Sequence, residues 1–271
     1  MHKQTISAVI LTKNEEKNIQ RCIASLGWCN EIVIIDDFSK DKTIEKLFHL
    51  RGVPQAQHHL GGGIYKRHLE GNFAQQRNFG LEKASRDWIL FVDADEEISE
   101  ALASEIKSQI SNLKSQNQNL KPKSDLINGF YIKRKDYFLG KWLKYGETAN
   151  VKLLRFGRKG QGKWDGRVHE VWKIEGKPAE FKNPILHYPH QTVSEFLKDL
   201  NYYTDLVVQC WKEEGRKISF WEIPVYPVGK FIQNYLLRLG FLDGAQGLIM
   251  AIFMSFHSFL AKSKYWLSRH P

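Results

Sequence analysis

Four acidic side chains close an apolar run in the segment Phe91-Val92-Asp93-Ala94-Asp95-Glu96-Glu97. If the strand continues through them, the alternation of side chains places Asp93 and Asp95 on the same face. Two carboxylates so placed repel each other and raise each other's pKa unless a cation lies between them. Oxygen ligands of this kind suit Mg²⁺ or Mn²⁺. The segment therefore predicts a divalent cation at Asp93 and Asp95, and the alternative is that its acidic residues begin the next helix.

A second acidic pair, Asp36 and Asp37, follows another apolar run. An aspartate at the end of a strand can accept hydrogen bonds from a base N–H or from ribose hydroxyls. Ser39 and Asp41 come next, and both are good turn and cap residues for the helix after them. The pair therefore predicts contacts to a nucleotide, while the turn residues need no functional explanation.

Short apolar runs alternate with segments of helical spacing over residues 1–111. This alternation predicts an α/β fold with a mostly parallel sheet covered by helices on both faces. Ligands of such sheets bind at the carboxyl ends of the strands, where both acidic pairs lie. The predicted strands are 6–11, 32–35, 53–57 and 88–92, and the predicted helices are a segment from Asn14 as its cap to Gly27, 42–50 and 73–85.

The second half of the chain predicts a smaller lobe and a helical C-terminal segment. Gly and charged residues separate its short apolar runs, which lie at 130–133, 151–156 and 168–174, and this favours antiparallel or mixed strands. A polar stretch without usable periodicity precedes them and indicates an exposed connection. The predicted parts are an α/β half at 1–111, a connection at 112–128, a lobe at 129–190 and a C-terminal helical segment at 191–271.

Lys and Arg outnumber Asp and Glu by 40 to 30. Residues 1–120 carry 15 basic and 16 acidic side chains, whereas residues 121–271 carry 25 and 14. The excess in the second half predicts an anionic partner such as a phosphorylated substrate, membrane headgroups or nucleic acid. A nucleic-acid-binding module is disfavoured because the basic residues are dispersed and no helix-turn-helix, zinc-finger or RNP pattern is present.

Residues 244–261 form an 18-residue run without a formally charged side chain. Seven large apolar residues follow helical steps on one face, and Lys262 falls on the opposite side. Such an amphipathic helix suits the plane of an anionic membrane surface, and the alternative is that the stripe packs on the second lobe or on another subunit. The apolar residues are Leu248, Ile249, Ile252, Phe253, Phe256, Phe259 and Leu260.

The three cysteines, Cys22, Cys29 and Cys210, form no C-x-x-C pair. Their odd number argues against a disulfide framework and favours a reducing compartment. The apolar run at 6–11 is too short for the hydrophobic region of a signal peptide. We therefore expect a cytoplasmic protein, peripheral on the inner face of the membrane if the C-terminal helix is interfacial.

These segments together resemble glycosyltransferase family 2, which has the GT-A fold. The matching segments of the first half are Val9-Ile10-Leu11-Thr12-Lys13-Asn14-Glu15-Glu16, Ile34-Ile35-Asp36-Asp37 with Ser39 and Asp41, Gln76-Arg77-Asn78, and Asp93-Ala94-Asp95-Glu96. In the second half, Trp164-Asp165-Gly166-Arg167-Val168-His169-Glu170 and Gly240-Phe241-Leu242-Asp243-Gly244 are similar to the branch of lipooligosaccharide core β-1,4-glucosyltransferases. The resemblance covers most of the chain.

The resemblance implies roles for the matching residues. Asp37 would accept from the uracil base, Arg77 would face the nucleotide or its diphosphate, and Asp93 would contact the ribose or the metal. Asp95 would be the principal ligand of a Mg²⁺ or Mn²⁺ ion bridging the donor diphosphate. The family has Gly at the position of Phe38 and often an aromatic residue at Lys13, so we expect the turn and the base-stacking contact to differ. The residues expected to line the nucleotide pocket are Thr12, Lys13, Asn14 and Glu15.

The implied reaction is the inverting transfer of a hexose, such as glucose, from a UDP-sugar to a lipid-linked or phosphorylated glycan. The acceptor hydroxyl must lose its proton, which requires a carboxylate or His within hydrogen-bond reach. Glu170 is the first choice; His169 is the alternative base or a metal ligand, and Glu147 is in reserve. Neighbours on a strand point to opposite faces, so only one of Glu170 and His169 is expected to face the sugar. His187 and His190 favour structural roles, and a ligand role is the alternative for either.

Two further readings concern the second lobe and the enzyme class. Trp142, Trp164 and Trp172 are candidates for stacking on acceptor sugars, and packing within the lobe explains them equally well.

A nucleotidyltransferase would also combine an α/β sheet with metal-binding carboxylates. We would expect it to carry a Gly-rich basic loop after the first strand, and residues 11–16 contain no Gly.

Overall fold

A computed structural model of the protein describes residues 4–48, 62–115, 125–189 and 192–270. The chain forms two compact units. Unit 1 comprises residues 1–134 and 152–187, and unit 2 comprises residues 135–151 and 188–271. The segment expected as a lobe at 129–190 contributes residues to both units, and the expected linear boundaries stay predictions.

Unit 1 has an α/β arrangement in which strands and helices alternate over its first half. The strands are β1 (Ile6–Thr12), β2 (Glu31–Asp36), β3 (Ile64–Lys66), β4 (Trp88–Asp93), β5 (Glu96–Glu97), β6 (Ile127–Phe138, which ends in unit 2), β8 (Lys152–Arg158), β9 (Gly162–Asp165), β10 (Val171–Ile174), β11 (Lys177–Glu180) and β12 (Ile185–His187). The helices are α1 (Ile19–Ala24), α2 (Thr43–Phe48), α3 (Phe73–Lys83) and α4 (Glu100–Ser115).

The central sheet has the strand order β3-β2-β1-β4-β8-β6-β12-β5. Strands β3, β2, β1 and β4 are parallel, whereas β8 is antiparallel to both β4 and β6. The carboxyl ends of β1, β2 and β4 therefore lie at one edge, since Thr12 pairs with Asp36 and Leu11 with Asp93. This confirms the predicted α/β class with a mostly parallel sheet and a smaller mixed part.

Alternating side chains of the sheet feed two separate cores. Ile10 of β1 packs in one core with residues of α1 and α4, and Val9 packs in the other core beneath α3. Gly80 lets α3 approach the sheet closely, because a Cβ at this position would lie 2.5 Å from Val9 Cγ1. Trp164 and Trp172 are buried in the second core and stack on each other, so packing explains them.

Several local predictions differ from the structure. Asn14 does not cap α1, whose N-cap residue is Asn18, because the Asn14 side chain accepts from the Lys40 N–H of the neighbouring turn. The predicted strand 53–57 lies outside the described residues, and the short strand β3 was not predicted. Strand β10 begins at Val171 rather than at residue 168, which leaves residues 166–170 as a loop after β9.

Unit 2 is mainly helical. It contains β7 (Lys141–Trp142), which pairs with the end of β6, and the helices α5 (Val193–Glu213), α6 (Glu222–Phe231) and α7 (Ala245–Leu267). A π-helical turn (Ile232–Leu237) and a 3₁₀ turn (Gly240–Asp243) connect α6 to α7. Among the described residues, one helix, α7, has the length and apolar composition to cross a membrane, with a mean hydropathy of 1.2.

Candidate active site

Asp93 lies at the carboxyl end of β4 between two arginines. Arg155 of β8 donates from Nη2 to Asp93 Oδ2 at 2.5 Å, and Arg77 of α3 donates from Nη2 to Asp93 Oδ1 at 3.0 Å. Burial would raise the pKa of Asp93, but the guanidinium groups of Arg155 and Arg77 outweigh it and hold this pKa well below its usual range. Asp93 is therefore ionised, and both of its oxygens have cationic partners.

Arg77 joins Asp93 to Glu170. Its side chain is 3% exposed, and its Nε donates to Glu170 Oε1 at 2.7 Å. Its guanidinium lies over the Trp164 ring, 4.9 Å from the centroid. The remaining nitrogen, Nη1, is buried without a hydrogen-bond partner among the residues that the structure describes. A buried guanidinium with one unsatisfied nitrogen is suited to an additional anionic ligand.

The neighbouring residue of α3 fixes the hairpin that carries Glu170. Asn78 Nδ2 donates to the Trp164 carbonyl at 2.9 Å, and Asn78 Oδ1 accepts from the Trp164 N–H at 2.9 Å. The helix begins with Asn72, whose side chain accepts from the Gln75 N–H. Side-chain hydrogen bonds to the backbone therefore connect α3 to the β9–β10 hairpin.

Glu170 and His169 lie in the loop between β9 and β10 and have different surroundings. Glu170 is largely buried by its contact with Arg77, whereas His169 is exposed. Glu170 Oε2 has no hydrogen-bond partner within the described part of the chain. The choice of base between the two residues stays a prediction.

Asp95 lies in the turn between β4 and β5, where its Oδ2 is 3.1 Å from Nε2 of His187. The antiparallel pairing of β12 with β5 sets His187 opposite Glu96 and so brings the imidazole to this turn. Burial would raise the pKa of Asp95, but the charge and hydrogen bond of His187 outweigh it, and the pKa is lowered. An ionised carboxylate and a ring nitrogen are therefore adjacent.

The residues present fit a divalent cation at Asp95 and not at Asp93. Asp95 and His187 offer one oxygen and one nitrogen ligand, and Mg²⁺ or Mn²⁺ commonly keeps few protein ligands and takes the rest from phosphates and water. At Asp93, guanidinium groups occupy the place that the sequence predicted for the cation. Across residues 4–48, 62–115, 125–189 and 192–270, no group of three or more His, Cys, Asp or Glu side chains is arranged as a metal site.

Glu96 supports the turn that carries Asp95. It is fully buried, and its Oε2 accepts from the Asp93 N–H at 2.8 Å. Burial, followed by the charge of Asp93, raises the pKa of Glu96. Cys22 lies 3.5 Å from the Asp93 carbonyl oxygen, and burial raises the pKa of its thiol. Glu96 and Cys22 therefore belong to the frame of the turn.

The two aspartates at the end of β2 are both buried but have different partners. Asp36 is fully buried and accepts from the Ser39 N–H and hydroxyl, so it closes the turn. Asp37 Oδ2 is 2.6 Å from Lys13 Nζ, and Asp37 Oδ1 accepts from the Leu69 N–H at 3.2 Å. Asp37, rather than Asp36, therefore forms an ion pair with Lys13, a residue of the predicted nucleotide pocket.

The turn after β1 is joined to the turn after β2. The Thr12 carbonyl accepts from the Asp37 N–H at 2.9 Å, and the buried Thr12 hydroxyl has no partner among the described residues. Asn14 adopts a positive φ of 55° and donates from its N–H to Ser39 Oγ at 2.9 Å. The Glu15 N–H donates to Thr43 Oγ1 at 2.7 Å. Of the four residues expected to line the nucleotide pocket, Asn14 and Glu15 thus also maintain this junction.

Phe38 occupies the position where the family has Gly, and its φ of 51° lies in the left-handed region that favours Gly. Its ring stacks on His68 with a centroid distance of 3.9 Å. Phe38 and His68 line an open pocket together with Lys66, Arg67 and Glu70. The turn therefore keeps the backbone conformation expected of Gly and adds an exposed aromatic ring beside Asp37.

Glu147 belongs to unit 2. Its Oε1 accepts from Lys230 Nζ at 2.8 Å, and its Oε2 accepts from Asn234 Nδ2 at 3.2 Å. Burial would raise the pKa of Glu147, but the hydrogen bond and charge of Lys230 outweigh it, and the pKa is lowered. A carboxylate with a lowered pKa is a weaker base, which disfavours Glu147 for proton removal.

The sequence did not identify two residues of this arrangement. Arg155 lies between apolar residues in the segment Leu153-Leu154-Arg155-Phe156, and a buried charge requires a partner, so this segment carried a usable signal. His187 was assigned a structural role. Only the pairing of β12 with β5 brings it to Asp95, 92 residues away in sequence.

The parallel sheet, with the carboxyl ends of β1, β2 and β4 at one edge, is an α/β arrangement of the GT-A type. The mannosyltransferase PcManGT from Pyrobaculum calidifontis, solved in complex with GDP-Man and Mn²⁺, is similar to the chain with a TM-score of 0.53 and 10% sequence identity. The similarity covers 99% of this chain and 89% of that chain. It supports the GT-A fold that the sequence resemblance implies.

The family model of glycosyl transferase family 2 matches residues 7–157, so the chain belongs to this family and is a glycosyltransferase. It is 29% identical to the lipopolysaccharide core biosynthesis glycosyltransferase LpsC of Rhizobium meliloti, over 99% of this chain and 94% of that protein. It is 24% identical to an uncharacterized glycosyltransferase of Rickettsia prowazekii, over 96% of this chain and 86% of that protein. The nucleotidyltransferase and nucleic-acid-binding alternatives are therefore set aside.

Proposed function

We propose that this glycosyltransferase moves a hexose, specifically glucose, from a UDP-sugar to a hydroxyl group of a lipid-linked or phosphorylated glycan. The acceptor belongs to lipopolysaccharide core or another cell-envelope glycan, and the enzyme works as a peripheral protein on the cytoplasmic face of the membrane. The name of the R. meliloti relative supports this glycan class. The observation that carries the proposal is the pair of Asp95 and His187 beside Asp93, at the carboxyl end of β4.

Donor binding uses the carboxyl ends of the parallel strands. Asp37 accepts from the uracil N–H, and the exposed ring of Phe38 stacks on the base in place of the family's aromatic residue at Lys13. The unpartnered Nη1 of Arg77 donates to the diphosphate, which adds a charge-assisted hydrogen bond. Thr12 contributes its buried hydroxyl to the same pocket.

Asp95 and His187 would hold the divalent cation, with Asp93 assigned to positioning Arg77 and Arg155. When bound, the cation supplies positive charge that stabilises the diphosphate leaving group. Arg77 stabilises the same negative charge as it develops. This assignment differs from the sequence prediction, which gave Asp93 a share of the metal.

Glu170 removes the proton of the acceptor hydroxyl. The acceptor oxygen forms a bond to the anomeric carbon while the bond from that carbon to the diphosphate breaks, and the proton moves to the carboxylate. One displacement of this kind inverts the anomeric configuration. Arg77 fixes Oε1 of Glu170, which leaves Oε2 to receive the proton. His169 stays the alternative base.

The donor half can be tested by calorimetry without an acceptor. UDP is titrated into the protein with Mn²⁺ and with a chelator, and GDP serves as the comparison nucleotide because PcManGT was solved with GDP-Man. We expect wild-type protein to bind UDP more tightly than GDP and to require Mn²⁺ for this affinity. Asp95→Asn should lose at least the ~10- to 100-fold in affinity that removal of a metal's supporting residue costs.

Asp165→Asn is the matched control, because Asp165 is an exposed carboxylate of the same unit whose partner is Lys173. It should bind UDP as the wild type does. Undiminished Mn²⁺-dependent binding by Asp95→Asn would contradict the metal assignment. Tighter binding of GDP than of UDP would contradict the assignment of Asp37 and the choice of donor.

A further inference from the structure

Exposed apolar side chains are concentrated in one region of unit 2. Of the large hydrophobic and aromatic residues that are exposed in the described ranges, sixteen lie between residues 220 and 267, four lie on α5, and two lie in unit 1. Trp221 and Leu237 are 72% and 75% exposed. Soluble surfaces carry scattered apolar residues, but a concentration of this size marks an interaction site.

Helix α7 has two charged residues, Lys262 and Lys264, and both pair with other helices of unit 2. Lys262 is 6% exposed, and its Nζ lies 2.7 Å from Glu222 Oε2 of α6 and 3.7 Å from the Tyr226 ring centroid. Lys264 Nζ lies 2.7 Å from Asp205 Oδ1 of α5. Part of the apolar stripe of α7 is exposed, and this part comprises Leu248, Ile252, Phe256 and Phe259. The helix therefore directs its charges inward and this part of its apolar surface outward, where an apolar medium would cover it.

The apolar stripe predicted from the sequence is therefore divided between two environments. Ile249, Phe253 and Leu260 pack against a core cluster that contains Phe138 and Phe196. The other edge of the stripe has no such cover within the described part of the chain. Core packing explains three of the seven stripe residues and leaves the four exposed ones to be explained.

Charge distinguishes this region from the neighbouring helix. Residues 215–271 carry seven Lys and Arg against two Asp and Glu, and both acidic side chains are engaged: Glu222 pairs with Lys262, and Asp243 is buried and accepts from the Lys144 N–H. Helix α5 instead carries two basic and four acidic residues. Anionic lipid headgroups attract the first region and repel the second.

We propose that α6, the turns after it and the exposed stripe of α7 form one membrane-docking surface, which inserts into the headgroup layer of an anionic bilayer. The proposed surface comprises residues 220–267 and is named the α6–α7 surface. Trp221 and Phe256 occupy the boundary between acyl chains and headgroups, while Lys217 and Arg269, which flank the surface in sequence, contact lipid phosphates. This deepens the proposed function, since a lipid-linked acceptor would then be presented in the plane where the enzyme is held.

Vesicle flotation of the full-length protein tests the proposal. Vesicles of phosphatidylglycerol with phosphatidylethanolamine are compared with vesicles of phosphatidylcholine alone. We expect the wild type to float with the anionic vesicles and to bind the neutral ones more weakly. The double variant Leu237→Gln/Ile252→Gln removes two exposed apolar side chains and should lower partitioning into anionic vesicles by about 10-fold or more.

Leu197→Gln is the matched control, because Leu197 is an exposed apolar residue on the acidic helix α5. It should float as the wild type does. Equal flotation of the double variant and the wild type would overturn the proposal. A second result would also overturn it: the wild type is a dimer that does not bind vesicles, and the double variant is a monomer. A second copy of the chain would then cover the surface.

Quenching of tryptophan fluorescence by brominated lipid provides a second measurement. Trp221→Phe keeps an aromatic ring and removes one of the emitters, so the quenched fraction should fall only if Trp221 contacts acyl chains. Mn²⁺-dependent UDP binding is measured for every variant in solution and should be unchanged. If the double variant loses flotation but still binds UDP, the docking surface is supported. If the proposed donor is wrong, the wild type does not bind UDP in the expected way but still floats with the vesicles.

Discussion

The two units depart from the usual distribution of polar and apolar residues in opposite ways. Unit 1 buries charge: Arg77 and Arg155 lie beneath the surface with Asp93 between them. Unit 2 exposes apolar surface, with Trp221 and Leu237 among its most accessible side chains. Burying a charge and exposing a large apolar side chain both cost free energy in water. Each departure therefore indicates a role in addition to folding, such as binding a ligand or another surface.

The two departures are stabilised differently. In unit 1 every charge of the Asp93 cluster has a partner of opposite sign inside the protein, so the cluster is complete except for Arg77 Nη1. In unit 2 the compensation for the exposed residues must come from outside the protein. Buried charge is therefore tested by disturbing the fold, whereas exposed apolar surface is tested by changing the surroundings.

The largest expected effect comes from breaking the charge cluster of unit 1. Arg155→Met removes one of the two cationic partners of the ionised Asp93, whose side chain is 31% exposed and keeps Arg77. A hydrogen bond to a charged group contributes about 1.5–3 kcal/mol. We expect the free energy of unfolding, measured by urea denaturation, to fall by this amount.

Lys152→Met is the control on the same strand. Lys152 pairs with Glu180 at 2.7 Å, but both side chains are well exposed. Exposed pairs contribute about 0–1 kcal/mol. An equal loss of stability in the two variants would show that burial does not distinguish the two pairs, and the contrast between the units would lose its basis.

The order of elements in unit 1 follows from local sequence patterns. Alternating apolar runs and helical spacing predicted β1, β2 and β4 with their helices, because each element carries its own periodicity. The loop after β9 was misassigned as strand since Val168 continues the pattern of β10, while the pairing of Asp165 with Val171 ends the ladder. Local pattern does not contain the pairing partner.

The candidate site was predictable where its residues follow strand ends. Asp37, Asp93 and Asp95 were found in this way, but their partners were not. Whether Asp93 binds a cation or guanidinium groups depends on Arg155, which reaches it through the antiparallel pairing of β8 with β4. The same holds for His187 at Asp95. Residue types at strand ends predict chemistry, whereas long-range pairing decides which charge neutralises which.

The Glu170→Gln variant tests whether Glu170, which pairs with the buried Arg77, also acts as the base in the reaction. Glutamine keeps an oxygen acceptor for Arg77 Nε but does not take up the acceptor proton. We expect turnover to fall by about two orders of magnitude or more, with donor affinity intact. Steady-state transfer rates and calorimetric UDP affinity measure the two quantities separately.

His169→Gln and Glu147→Gln are the comparison variants. Both should retain turnover near that of the wild type, since His169 is exposed and Glu147 is engaged by Lys230. A loss confined to His169→Gln, with normal turnover in Glu170→Gln, would transfer the role of base to His169. The buried ion pair of Arg77 with Glu170 would then serve the fold alone.

The smallest effect on stability is expected from two substitutions that compare the units directly, one at a large apolar residue with a positive φ in each unit. Phe38 in unit 1 and Leu239 in unit 2 have φ values of 51° and 57°. Glycine removes the steric cost of this conformation but adds backbone entropy to the unfolded chain, so each substitution should change the free energy of unfolding by at most about 1 kcal/mol. Phe38→Gly should weaken UDP binding and leave vesicle flotation unchanged, since it removes the ring stacked on His68. Leu239→Gly should weaken vesicle flotation and leave UDP binding unchanged, because Leu239 belongs to the α6–α7 surface. If either variant altered both readouts, donor binding and membrane docking would not be properties of separate units.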